Sequence, residues 1–169
     1  MSIFGRTTLL VVLVVGACSS DSQGVVESEP PTIPVQLRLR GIATSGYSTV
    51  LLKLKDVQVT ANGQRLAVGP PQRRMNLADT SVGWVAGDVA VPAGATSIHV
   101  AITLDDFGAF ESGGAAGEID ARTRPIEFDA SVENLAIHHK AIVQLDLRRS
   151  IVPTAADRSV LLPALSVAY

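Results

Sequence analysis

The chain has 169 residues with a formal net charge of −2; 47% of them are hydrophobic and only 4% aromatic. This balance excludes a strongly basic nucleic-acid-binding protein, since the longest basic runs are the pairs Arg73-Arg74 and Arg148-Arg149. Val, Leu, Ile and Ala dominate the apolar residues. The composition therefore favours an aliphatic β-sheet core over an aromatic surface that would stack on sugars or bases.

The first 17 residues have the features of an export signal. Arg6 provides a positive charge, and the apolar run from Leu9 to Val15 is seven residues long. A membrane-spanning helix needs roughly 20 apolar residues. Gly16 and Ala17, both small, stand directly before Cys18, which is the only cysteine. The pattern predicts a signal peptide over residues 1–17 rather than a transmembrane anchor.

The order Val15-Gly16-Ala17-Cys18 resembles the lipobox of bacterial lipoproteins, in which the thiol is acylated and the preceding peptide is removed. The resemblance implies that Cys18 carries lipid, begins the mature chain and holds it to a bilayer. The alternative is an ordinary thiol, left after conventional cleavage or buried in a core. Ser19 stands where an aspartate would, by the rule for enteric bacteria, retain the protein at the inner membrane. We therefore expect the outer membrane, with the domain facing the periplasm or the cell surface.

The residues after Cys18 are polar, contain prolines and show no period as far as Pro34. This composition predicts a lipidated cysteine and flexible tether over residues 18–34 and one domain over residues 35–169. Loss of Arg6 with the signal leaves 13 Lys and Arg residues against 16 Asp and Glu residues, so the mature chain stays mildly acidic.

Alternation of apolar and polar residues predicts a series of short strands. The first covers Val35 to Arg40 and is expected to end at Gly41. The next, Thr49 to Thr60, changes its alternation at Lys55-Asp56, which predicts a β-bulge. Asn62-Gly63 then predicts a type I′ hairpin turn, because both residues tolerate positive φ.

Further strands are expected at Met75–Leu77, Val82–Val91, Ser97–Leu104, Arg124–Phe128, Ala136–Leu147 and Ser159–Val167, with a turn at Pro92–Ala95 and an acidic, glycine-rich loop over 105–120. No helical period is sustained. Close strand spacing with Gly, Pro and Asn turns predicts an all-β fold. We expect an antiparallel two-sheet β-sandwich, Ig-like or prealbumin-like, behind the signal peptide. A closed barrel is the alternative.

The order of four segments resembles an uncharacterised domain family of bacterial lipoproteins, a β-sandwich of the prealbumin or carboxypeptidase-regulatory type. The segments are Val50–Val59, Val91–Ala95, Ile142–Ile151 and Val160–Val167. The chain departs from the family at Gly41–Thr44, where the family usually has an acidic residue with alanine and proline, and at Leu147-Arg148, where the family usually has an aromatic residue. The resemblance implies the fold and no activity, because the family carries none that is established.

Five acids lie within the expected loop, and four of them are weak candidates for a metal site: Asp105, Asp106, Glu111 and Asp120. Calcium takes six to eight oxygen ligands, and paired aspartates after a strand could begin such a site. Their spacing matches no EF-hand loop. The preferred interpretation is a solvated loop that binds no metal and whose charges keep a sheet edge from pairing with neighbours.

His138 and His139 are adjacent, so on a strand they would point to opposite faces and could not chelate one ion. Only His99 remains elsewhere, and we expect it to face water. The chain has no Gly-x-Ser-x-Gly elbow, His-Glu-x-x-His motif, phosphate loop or dinucleotide fingerprint. The sequence therefore predicts no catalytic residues, no enzyme activity and no cofactor.

These features together predict a lipid-anchored, non-enzymatic binding module of the bacterial cell envelope. Its expected partners are the bilayer, through acylated Cys18, and an envelope protein or extracellular ligand, with no nucleic acid. Two alternatives stay open: a calcium-dependent binder or hydrolase that uses the 105–120 loop, and a structural envelope protein.

Overall fold

The computed structural model describes residues 31–169 as an all-β fold in which two sheets pack against each other, which confirms the predicted sandwich at that level. The signal peptide, Cys18 and the tether as far as residue 30 lie outside the described residues. The strands are β1 (Thr32–Ile42), β2 (Tyr47–Ala61), β3 (Gln64–Leu66), β4 (Arg74–Asn76), β5 (Trp84–Pro92), β6 (Ser97–Leu104), β7 (Phe107–Ser112), β8 (Ala115–Asp120), β9 (Ile126–Ser131), β10 (Lys140–Asp146), β11 (Ile151–Ala155), β12 (Arg158–Leu161) and β13 (Leu165–Ala168), and the helices are α1 (Val132–His138) and α2 (Leu147–Ser150).

The smaller sheet has the strand order β13-β10-β1-β5. β1 is antiparallel to β5 but parallel to β10, with pairs from Gln36 and Lys140 to Ile42 and Asp146. The expectation of a purely antiparallel sandwich is therefore wrong, and β8 and β12 form a second parallel pair in the larger sheet. Parallel neighbouring strands need a long connection between them. Here the connection from β1 to β10 contains most strands of the larger sheet.

The larger sheet has nine strands arranged around the long strand β2. The first half of β2 pairs with β7 on one edge and β4 on the other, and its second half pairs with β6 and β3. The partners of β2 change at Lys55, where the β2–β6 register shifts between Leu54 and Asp56. This confirms the predicted bulge, since the extra residue moves the buried side chains from even to odd positions.

The predicted hairpin turn is also confirmed. Asn62 and Gly63 have φ values of 50° and 76°, and Ala61 pairs with Gln64 across the turn. Two consecutive residues with positive φ define a type I′ turn, whose twist matches that of the flanking strands.

We expect Asn62→Val or Gly63→Val to lower the free energy of unfolding by at least about 1 kcal/mol, because a β-branched side chain is strained at positive φ. The measurement is the urea midpoint of each variant. Gly94→Ala is the control, because a Cβ at position 94 meets nothing within 4 Å. Midpoints equal to that of the control in both variants would contradict the turn described.

The core lies between the sheets and contains mainly aliphatic side chains. β6 has the predicted bounds, with Ile98, Val100 and Ile102 fully buried on its inner face. β1 does not end at Gly41 as expected, because Gly41 still pairs with Leu145. Gly41 faces inward against Leu77, and a Cβ there would lie 1.9 Å from the Leu77 carbonyl oxygen. Glycine at this position permits close packing instead of stopping the strand.

Most other strand bounds differ from those predicted, and three of the differences are large. β1 begins at Thr32, which pairs with Pro92, so the end of the expected tether belongs to the smaller sheet. The expected strand over 136–147 begins only at Lys140 and follows α1, which is too short for its period to be read from the sequence. The expected strand over 159–167 is two strands in different sheets, separated around Pro163, which has no N–H for a ladder. Within residues 31–169, neither helix has the length and hydropathy needed to cross a bilayer.

Candidate functional site

The acidic segment 105–120 is a β-hairpin and not the loop that the sequence predicted. β7 and β8 pair over their whole length, from Phe107 with Asp120 to Ser112 with Ala115. Gly113 and Gly114 make the turn with φ values of 56° and 83°. The residues of both strands are mostly small or polar, so the apolar alternation that indicates a strand is weak here even though the backbone pairing is complete.

The four candidate metal ligands do not form one group, and their contacts differ. The Asp106 carboxylate lies 3.6 Å from Lys55 Nζ, and Glu111 Oε2 accepts a hydrogen bond of 3.0 Å from Thr49 Oγ1. The Asp105 amide donates to the Lys53 carbonyl, and Asp120 pairs with Arg122. Nowhere between residues 31 and 169 do three or more His, Cys, Asp or Glu side chains form a group that could hold a metal ion.

Asp120 and Arg122 form the strongest ion pair at this end of the hairpin. Arg122 Nη2 and Nε donate to the two carboxylate oxygens of Asp120 at 2.6 and 2.9 Å, and the Arg122 amide donates to Oδ1 at 3.1 Å. Hydrogen bonds from the Arg122 side chain and backbone lower the pKa of Asp120 to about 2. The guanidinium also lies over the Phe107 ring, 4.7 Å from its centroid, in a cation–π contact.

The low pKa of Asp120 predicts a defined pH dependence of stability. A carboxyl whose pKa is lower in the folded state contributes stability above its unfolded pKa and loses it as the pH falls towards the folded value. We expect the urea midpoint of the wild type to fall between about pH 4 and pH 2, and Asp120→Asn to fall less over the same window. Arg122→Gln removes the partner and should weaken the dependence similarly. Equal pH slopes in all three proteins would contradict this role.

The histidines are also separate. His99 is exposed on β6, as expected, and its Nδ1 lies 3.0 Å from Asp129 Oδ1. His138 ends α1, and His139 follows in a left-handed conformation with φ of 53°. The pair thus lies at a helix end, before the strand that begins at Lys140. His139 Nδ1 lies 3.2 Å from the Pro34 carbonyl oxygen.

Two exposed apolar side chains lie near each other on the outer face of the larger sheet. Leu51 of β2 and Phe107 of β7 are 48% and 45% exposed. Together with Ala109 they line a shallow groove of about 310 Å³, bordered by Lys53 and Arg74. We call the exposed residues Leu51, Lys53, Arg74, Phe107, Ala109 and Glu118 the β2–β7 patch.

The register of the strands explains why these side chains share one face. Leu51 pairs with Ala109, and Ala109 pairs with Glu118 of β8. Lys53, two residues along β2, pairs with Arg74 of β4. Alternation places Val50, Leu52 and Leu54 in the core, so Leu51 must point outward with Lys53. The sequence carried this signal, because Leu51 interrupts the polar face of an otherwise alternating strand.

Charge is distributed unevenly over the β2–β7 patch. Lys53 and Arg74 lie on the side of β2 and β4, and Glu118 lies on the side of β8, near the paired Asp120. Among the described residues, the ion pairs within 4.0 Å do not include Lys53, Arg74 or Glu118. Exposed Arg158 of β12 lies directly opposite Glu118, so the patch presents an apolar centre bordered by charged side chains of both signs. This arrangement suits binding of a complementary surface and offers no nucleophile with an activating base.

We expect neutralisation of the hairpin acids to leave the fold intact and calcium to have no effect on it. The triple variant Asp105→Asn, Asp106→Asn, Glu111→Gln removes only exposed or half-buried carboxylates, and each exposed ion pair contributes at most about 1 kcal/mol. The measurement is the melting temperature of wild type and variant with and without millimolar calcium. A rise of several degrees in the wild type alone would contradict the expectation, because a ligand that binds only the native state stabilises it.

Comparison with models of protein families, with curated proteins and with solved structures found no match for this chain.

Proposed function

We propose that this protein is a lipid-anchored, non-enzymatic binding module of the bacterial cell envelope. The observation that carries the binding role is the β2–β7 patch, where Leu51 and Phe107 are about half exposed on paired strands. Exposed apolar groups that adjoin one another and are bordered by charged side chains are typical of interaction sites. The strands hold the patch in place by backbone hydrogen bonds, so a partner would meet a preformed surface.

The anchoring role is supported by the sequence before the domain. The apolar run Leu9–Val15 and the order Gly16-Ala17-Cys18 match a signal peptide that ends in a lipobox. We propose that residues 1–17 are removed, that Cys18 is acylated and that the lipid lies in the outer membrane. Residues 19–31 would then connect the lipid to β1. Thirteen residues span up to about 45 Å when extended.

We further propose that the sandwich is of the Ig-like or prealbumin type. Support comes from the order of the segments Val50–Val59, Val91–Ala95, Ile142–Ile151 and Val160–Val167 along the chain. Two packed sheets are consistent with this type.

Photo-crosslinking in intact cells tests the binding role. A benzophenone amino acid replaces Ala109 at the centre of the β2–β7 patch or, as a matched control, Ala136 on the exposed side of α1. We expect light-dependent adducts from position 109 and few from position 136. Absence of adducts at position 109, with normal expression and membrane recovery, would contradict a binding role for the patch.

A further inference from the structure

The turn between β2 and β3 places an asparagine directly before a glycine at an exposed point of the structure. Asn62 and Gly63 are both exposed, and a Cβ built on Gly63 would meet nothing within 4 Å. Ala61 and Gln64 form the closing pair of the turn, and the Gly63 N–H between them donates no hydrogen bond within residues 31–169. The backbone nitrogen next to the Asn62 side chain is therefore neither shielded nor hydrogen-bonded.

We propose that Asn62 is a site of spontaneous deamidation, in which its side-chain amide becomes a carboxylate. This inference goes beyond the proposed function and does not depend on it. The Gly63 nitrogen gives its proton to solvent and attacks Asn62 Cγ. A bond from this nitrogen to Cγ forms, the bond from Cγ to Nδ2 breaks, and Nδ2 leaves with protons from solvent as ammonia. The product is a five-membered succinimide ring in the backbone.

Water then opens the succinimide ring at one of its two carbonyl carbons. Addition of water at Cγ gives aspartate. Addition at the main-chain carbonyl carbon gives isoaspartate, in which the backbone runs through Cβ and Cγ of residue 62. Each product has one oxygen atom from water in place of the lost nitrogen and carries one more negative charge. A glycine at position 63 favours the attack, because it has no side chain to obstruct the approach of its nitrogen.

The hairpin permits the rotation that the attack requires. In a type I′ turn the Gly63 nitrogen points away from the Asn62 side chain, so the turn must open locally before the two atoms meet. β3 closes the hairpin with only three residues, and the side chains of Gln64 and Arg65 are exposed. Such an end opens at a small cost in free energy compared with the core.

The two other asparagines of the chain lack these features and serve as internal controls. Asn76 Oδ1 accepts a hydrogen bond of 3.0 Å from the Val50 N–H, and the amide of the next residue, Leu77, donates to the Val50 carbonyl. Asn134 lies within α1 and precedes Leu135, which is fully buried. In both places a packed leucine follows the asparagine, so attack would require opening of the core.

Isoaspartate is expected to weaken the hairpin more than aspartate does. Its extra backbone atom lengthens a turn that must contain two residues to keep Ala61 opposite Gln64. Leu66, which follows in β3, packs against the core. We therefore expect the urea midpoint of the isoaspartate form to lie below that of Asn62→Asp, which has the same charge and an ordinary backbone.

Peptide mapping tests the proposal. The purified protein is incubated in mildly alkaline water enriched in heavy oxygen, and each asparagine is followed by mass spectrometry with fragmentation. We expect Asn62 to exchange its side-chain nitrogen for one heavy oxygen, with isoaspartate among the products. Modification there should exceed that at Asn76 or Asn134 at least about tenfold, since the turn opens more easily than the core. Asn62→Gly keeps a residue that tolerates positive φ and should show no modification in this turn.

A peptide of residues 58–66 is the unfolded reference and should be modified at Asn62 faster than the folded protein. Absence of modification at Asn62 in the folded protein would contradict the proposal, and modification of the peptide alone would show that the turn protects this residue. Equal modification at all three asparagines would also contradict it, because the reaction would then not depend on the turn. An isoaspartate form as stable as Asn62→Asp would refute the expected weakening of the hairpin.

Discussion

Cys18→Ser is expected to move the protein from the membrane fraction to the soluble fraction of fractionated cells. The sequence offers one thiol for acylation, and no helix within residues 31–169 can span a bilayer. Each buried CH₂ of an acyl chain contributes about 0.8 kcal/mol to membrane binding, so loss of the lipid removes the main attraction to the bilayer. The measurement is immunoblotting of the two fractions after ultracentrifugation.

Ser19→Ala is the matched control, because it alters the neighbouring residue and keeps the thiol. It should stay with the membranes as the wild type does. A Cys18→Ser protein that still sediments with membranes in full amount would contradict lipid anchoring through this residue. Separation of inner and outer membranes on a density gradient then tests the expected location of the wild type.

Gly41→Ala is expected to cause the largest loss of stability among glycine-to-alanine substitutions in residues 31–169, because the added Cβ meets the closest contact there. The added Cβ would lie 1.9 Å from the carbonyl oxygen of Leu77 and 2.8 Å from its carbonyl carbon. Leu77 is fully buried and its amide donates to the Val50 carbonyl, so its backbone cannot move without disturbing β2. Overpacking against a fixed backbone costs about 3 kcal/mol or more, a large part of the stability of an ordinary domain. Urea unfolding of the purified variant measures the loss.

The same substitution at Gly94 is the control, since a methyl group there meets nothing within 4 Å and Gly94 lies in the turn after β5. Gly94→Ala should leave the midpoint unchanged or raise it slightly, because alanine restricts the unfolded chain more than glycine does. A Gly41→Ala variant as stable as this control would show that β1 and Leu77 are not packed as described.

Local patterns in the sequence predicted the elements that local chemistry determines. The alternation of Ile98, Val100 and Ile102 located β6 with its bounds, and the change of alternation at Lys55 located the bulge. The turn at Asn62 depends on two residues that tolerate positive φ, which a sequence displays directly.

Features set by contacts between distant residues were not predictable in this way. The parallel pairing of β1 with β10 joins Gln36 to Lys140 across most of the chain, and no local signal specifies it. The role of Gly41 depends on the approach of Leu77, which the sequence does not display. The hairpin β7–β8 was not predicted, because its alanine and glycine residues give little apolar alternation. Gly113 and Gly114 are nevertheless typical of a hairpin turn.

The candidate site was predictable in part. The acids near Asp105 were considered as metal ligands, and the segment that contains them also contains Phe107 of the β2–β7 patch. In the structure Asp106 pairs with Lys55 and Asp120 pairs with Arg122. The β2–β7 patch forms when β7 lies beside β2 and brings Phe107 to the face that Leu51 occupies. The outward direction of Leu51 follows from alternation alone, whereas its neighbours follow from the sheet order.

Mass spectrometry of the protein extracted from membranes tests lipid anchoring most directly. Lipid anchoring through Cys18 predicts a mature chain that begins at this residue and is heavier than residues 18–169 by the acyl groups attached to it. Fragmentation should place all of the added mass on the first residue. A chain that keeps the residues before Cys18, or one that begins elsewhere with an unmodified thiol, would contradict lipid anchoring through this residue.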